Sequence, residues 1–221
     1  METHTIILWV LAAVELVIIV SIFLRYQRTP SIYSLCGLLL GFSLMSFFVG
    51  MLMIEISNEA RIWIAKAAFF SGGISFISLY AFAIHYPLRT FLKHNFIRFS
   101  ILVPLILLIP FIFFVPGFLD DIVVQEGNID IVTGNLFWIF VLFTAVYCLA
   151  AIAILIIKIA HTSGEQKKQV GLITLIIGCS GILAVITNQL LPVIGVPFNK
   201  VYGPESAGIV SIVIALIAMK K

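Results

Sequence analysis

Charge is scarce in this chain. Only 10% of its 221 residues are Asp, Glu, Lys or Arg, against 62% that are hydrophobic. Soluble domains carry roughly 25% charged and about 45–50% apolar residues. No water-soluble fold of this length hides that much apolar surface, so lipid must be part of the solvent. Cysteine is nearly missing too. Cys36, Cys148 and Cys179 each sit inside an apolar run, and their odd number and spacing match neither a zinc site nor a CxxC redox pair. They read as small residues that pack helices. The histidines are His4, His85, His94 and His161, and none stands three or four residues from another. There is no HExxH and no intramembrane pair of acids. The sequence therefore offers no catalytic cluster, no metal site and no cofactor site of the kind that membrane hydrolases and transferases need. A nucleic-acid partner is not expected either.

Further absences narrow the membrane classes. The last apolar run, from Glu205 to Met219, holds no lysine for a retinal Schiff base. The third ends in His85-Tyr86-Pro87, not in a DRY-type triplet, which argues against an ordinary G-protein-coupled receptor. The N-terminus, Met1-Glu2-Thr3-His4, lacks the basic stretch of a signal peptide, and its apolar run reads as a retained helix.

What is present is a series of apolar runs near the 20 or so residues that a spanning helix needs. Seven helices are expected, at about 5–24, 31–54, 62–86, 97–115, 136–158, 169–191 and 204–219. The fold class is thus an all-α membrane protein, a seven-transmembrane helix bundle forming a single domain over 1–221. Connections are short except between helices four and five. There two β-branched stretches flank Glu126-Gly127-Asn128 and read as a small hairpin on the membrane surface.

The charges set the orientation, because cytoplasmic segments are enriched in Lys and Arg. With the N-terminus outside, the inner segments hold Arg25, Arg28, Arg89, Lys93, Arg98, Lys158, Lys167, Lys168, Lys220 and Lys221. Only Arg61 and Lys200 lie outside, and Lys66, just within helix three, completes the 13 basic residues. Of the acids, Glu165 alone falls inside. Trp9, Trp63 and Trp138 fall near outer helix ends, where an indole buries its ring and keeps its N–H wet.

Small residues mark expected helix contacts: Gly37 and Gly41; Ala67, Ser71 and Ser75; Gly178 and Gly181. Pro104 and Pro110 should bend helix four. Few polar residues lie at depth. Glu15 is near the middle of helix one, where a carboxyl must be protonated or paired, since an isolated charge there costs on the order of 2.5–3.5 kcal/mol. Lys66 is the nearest basic residue by depth, though a lysine there also snorkels to the surface. Asn188 stands near the outer end of helix six. Glu205 opens helix seven, where an acid suits the helix N-terminus. These four residues, Glu15, Lys66, Asn188 and Glu205, are the candidates for an outward-facing ligand or signalling pocket.

The arrangement also resembles a known family. Thr133-Gly134-Asn135-Leu136-Phe137-Trp138 leads into helix five, and Ser163-Gly164-Glu165-Gln166-Lys167-Lys168-Gln169 into helix six. Asn188-Gln189-Leu190-Leu191-Pro192 ends helix six, and Gly203-Pro204 opens helix seven. Over essentially its whole length the chain is similar to the N-terminal seven-helix sensor region of bacterial and archaeal histidine kinases. The resemblance implies a module of the cell membrane of a bacterium or archaeon. Such a module perceives a small-molecule, lipophilic or membrane signal and passes it to a cytoplasmic kinase or other output domain. It also implies a homodimer. The sequence stops at Lys220-Lys221 with no phospho-accepting histidine and no ATP-binding glycine motif, so the chain by itself is expected to lack kinase activity. A small transporter or channel subunit is the other reading, disfavoured by the absence of a repeat.

Overall fold

A computed structural model describes residues 2–54, 56–87, 94–125, 128–186 and 203–219. Among these the chain forms seven helices and one strand pair. The helices are α1 (Glu2–Arg25), α2 (Pro30–Leu52), α3 (Asn58–His85), α4 (His94–Phe114), α5 (Phe137–His161), α6 (Gly164–Val185) and α7 (Gly203–Met219). The strands are β1 (Leu119–Gln125) and β2 (Asn128–Thr133), antiparallel, with Ile122 opposite Ile131.

Capping residues set several boundaries. Thr29 accepts from the Ile32 N–H and Pro30 occupies the first turn, so α2 starts where the chain leaves the Arg25–Thr29 connection. Helix three begins at Asn58, earlier than residue 62 as hydropathy alone suggests, because Ser57 accepts from the Ala60 N–H and Glu59 lies in the first turn. Helix six likewise begins at Gly164, five residues before its apolar stretch, so its polar opening turn is helical and exposed.

Among the described residues five helices (α1 to α5) are long and apolar enough to cross a membrane. Helix α6 opens on Glu165, Lys167 and Lys168, and the apolar part of α7 is the shorter segment Ala207–Met219. Helix α3 is the centre of the bundle: 72% of its most apolar stretch is buried, against 17% for α4. It packs on α2, α4 and α5, while α1 and α6 each pack on α7. Helix α4 is peripheral and presents Phe99, Ile106 and Leu107 outward. For a lipid-bathed helix such exposure costs nothing.

The strand pair is pinned to the bundle by aromatic packing. Phe118, fully buried, meets Phe69 of α3 edge-on at 5.9 Å and Phe140 of α5 at 5.7 Å. Gly117 reaches φ +79°, a conformation that favours glycine, as the chain turns from α4 into β1.

The α2–α3 contact depends on Gly41. A Cβ there would lie 2.9 Å from the Ser71 carbonyl oxygen and 3.0 Å from the Ser75 nitrogen, backbone atoms that cannot swing aside. Gly41→Ala should lower stability by about 1–3 kcal/mol, the usual range for overpacking. Gly171→Ala is the comparison, since a Cβ there meets nothing within 4 Å. A thermal-unfolding midpoint for Gly41→Ala equal to that of Gly171→Ala would contradict this account.

Candidate functional site

Inside a membrane every backbone polar group needs a protein partner. Helix ends and prolines leave carbonyls without their normal N–H. Four side chains from neighbouring elements satisfy five of these carbonyls.

Pro104 has no N–H to give the Ser100 carbonyl. The Tyr147 hydroxyl of α5 donates to that oxygen. Tyr80 of α3 joins the node, its hydroxyl bonding Ser100 Oγ at 3.3 Å and its ring lying edge-on to Tyr147 at 5.3 Å. Tyr147→Phe should therefore cost about 1–3 kcal/mol, the range for a buried acceptor left unpaired. Adding Pro104→Ala should recover most of the loss, because residue 104 then has an N–H for Ser100. Unfolding midpoints of the single and double variants decide the matter. No recovery would mean that the hydroxyl serves something else.

The last turn of α4 is held similarly. Lys66 Nζ donates to the Phe113 carbonyl at 3.1 Å, with its ammonium 5.4 Å from the Trp63 ring centroid. Lys158 Nζ, only 4% exposed as a residue, donates to the Ile84 and Tyr86 carbonyls at 2.7 and 2.8 Å. It thus closes the C-terminus of α3 from α5. Tyr86 extends the link to α6 through Gln169 Oε1 at 3.4 Å. Tyr26, just beyond α1, donates to the Met219 carbonyl at the end of α7 at 3.3 Å.

The deepest polar contact joins the first and last helices. Along α1 the buried residues are Leu8, Ala12, Glu15 and Ile22, at helical spacing, while Val14, Leu16 and Val17 face outward. Glu15 is fully buried, and its Oε1 accepts from Ser211 Oγ of α7 at 2.6 Å. Ser211 Oγ also lies 2.7 Å from the Gly208 carbonyl, and Glu15 Oε2 has no hydrogen-bond partner among the described residues. Gly208 lies on the same face of α7, where a Cβ would come within 3.5 Å of Glu15 Oε1. One turn away Ser43 of α2 donates to the Ala12 carbonyl at 3.0 Å.

The candidate residues therefore have separate surroundings. Glu15 engages α7 and Lys66 engages α4, with no bond between them. Asn188 and the Glu205 side chain lie outside the described parts, although Glu205 itself is in the first turn of α7. Reading the sequence by residue type missed Ser211, Tyr147 and the buried state of Lys158. Helical spacing was the available signal for Lys158, which continues the buried series Thr144, Cys148, Ala151 and Leu155. Between α4 and α5 an apolar groove of ≈ 530 Å³ is lined by Pro104, Leu107, Phe111, Ile139 and Phe143, among others. Among the described residues no cluster of His, Cys, Asp or Glu is placed to hold a metal.

Fold and site together define a multi-pass helical membrane protein whose polar contacts tie helix to helix. The chain belongs to the family described as the N-terminal 7TM region of histidine kinase, which matches residues 7–220. That region is the sensor part of such kinases, distinct from their catalytic domain. No curated protein and no solved structure matches the chain.

Proposed function

We propose that the chain is a membrane-embedded sensor module, a single domain over 1–221, that relays a signal to a cytoplasmic output domain. In this reading all seven helices cross the membrane. The N-terminus and the strand pair lie outside, and Arg25, His161 and Met219 lie at the cytoplasmic end. The module works as a homodimer in the cell membrane of a bacterium or archaeon.

The observation that carries the reading is the Glu15–Ser211 hydrogen bond. It links the first helix to the last, and the last is the one that leads toward an output domain in a histidine kinase. A buried carboxyl at that depth is costly unless it has a use. Two arrangements of the α1–α7 seam, with and without this bond, would differ by little enough energy for a signal to choose between them. The apolar groove between α4 and α5 suits a lipophilic signal arriving from the bilayer.

The test joins Lys221 to the catalytic core of a histidine kinase and measures autophosphorylation in vesicles. Alanine substitutions at Glu15, Lys66, Asn188 and Glu205 are expected to change kinase output while the protein still inserts. Unchanged output in all four variants, together with solute flux through the protein, would reject the sensor reading.

A further inference from the structure

The ends of α1 and α7 at Arg25 and Met219 enclose a second cleft, of ≈ 380 Å³. Its lining is graded. Ile18, Ser21, Ile22 and Leu216 line it away from the helix ends, and Arg25, Tyr26 and Met219 line it at the ends. From Ile18 to Arg25 is seven residues of helix, about 10 Å at 1.5 Å per residue. That distance takes the lining from hydrocarbon to a fixed positive charge.

The polar groups of the lining are not equivalent. Ser21 Oγ donates to the Val17 carbonyl at 2.8 Å, so its proton is committed to its own helix. Tyr26 donates to the Met219 carbonyl, which also quiets the negative end of the α7 dipole. Arg25 is exposed and has no carboxylate partner among the described residues. It is the group left to receive an anion, and its planar fork suits a phosphate.

We propose that this cleft binds one anionic glycerophospholipid, with the phosphate on Arg25 and the start of one acyl chain over Ile18, Ile22 and Leu216. Charge complementarity and the apolar-to-cationic gradient select this occupant. A zwitterionic lipid brings its own cation to the same place, and a free anion leaves the apolar part uncovered. The lipid would brace the α1–α7 seam at the end where α7 leaves the membrane. That consequence rests on the sensor reading; the binding itself does not.

The test uses the chain without any output domain. Purified protein is titrated with phosphatidylglycerol or phosphatidylcholine, and the lipid retained is counted by native mass spectrometry. Wild type is expected to retain one phosphatidylglycerol in preference to phosphatidylcholine. Arg25→Gln should weaken that binding roughly fivefold, the effect of one basic residue at a lipid surface. Arg98→Gln, at another exposed arginine, should leave it within twofold. Leu216→Trp should block the cleft with the charge intact and abolish retention. Unchanged retention in Arg25→Gln, equal loss in Arg25→Gln and Arg98→Gln, or wild-type retention in Leu216→Trp would each overturn the proposal. Because no kinase activity is read, failure here leaves the relay experiment standing, and failure there leaves the lipid site standing.

Discussion

Lys158→Met should lower the thermal-unfolding midpoint more than any other single substitution considered above. The ammonium is buried and gives hydrogen bonds to two carbonyls at the end of α3. Methionine fills similar space but donates nothing. Each carbonyl left unpaired costs about 1–3 kcal/mol, so the pair costs on the order of 2–6 kcal/mol. At about 2–4 °C per kcal/mol for a chain of this size, the midpoint should drop by roughly 4–24 °C. Lys168→Met is the control. That side chain is 82% exposed and its ion pair with Glu165 spans 4.0 Å, so no measurable change is expected. Equal midpoints for the two variants would show that Lys158 is not closing α3. The same substitution should also increase protease cutting near Pro87, since the end of α3 would be the first part to open.

Glu15→Leu should separate stability from relay. Leucine has nearly the size of glutamate and removes a buried polar group, and swaps of this kind are often neutral or stabilising. The lost hydrogen bond itself is small: such bonds between membrane helices average about 0.6 kcal/mol and reach about 1.7. The midpoint should therefore hold or rise. A bias of that size on a two-state seam still moves the ratio of states by roughly 3- to 20-fold. Autophosphorylation of the joined kinase should shift by a comparable factor. Glu15→Gln keeps an acceptor oxygen for Ser211 and should stay near wild type in both measurements. Wild-type output from Glu15→Leu would remove the α1–α7 bond from the relay. A large loss of stability would instead make Glu15 a structural residue.

Much of this fold was legible in composition and hydropathy. Five long apolar helices need only length and the absence of charge to be seen. The start of α3 was misplaced because hydropathy does not register Ser57 as a cap. Glu15 was legible as a residue of interest, because a carboxyl is rare at that depth. Its partner was not, since Ser211 is 196 residues away and a serine in a membrane helix is ordinary. Lys158 was legible only as one basic residue among those at the Arg25 end. Counting charges treats a buried lysine and an exposed one alike. Only the helical spacing of its neighbours distinguishes them, and that becomes decisive once α3 is known to lie beside α5.

The ties at Ser100, Phe113, Ile84 and Met219 all end on main-chain oxygen. Every amino acid supplies that atom. The information that maintains each tie is therefore one-sided, stored wholly in Tyr147, Lys66, Lys158 and Tyr26. The side chain at a receiving position has no part in the tie itself, whatever other packing or bonding it carries, as Ser100 Oγ does with Tyr80 and the buried Ile84 does in the core. The tie itself leaves no trace in the identity of the receiving residue, and methods that look for two positions changing in concert would pass over all four.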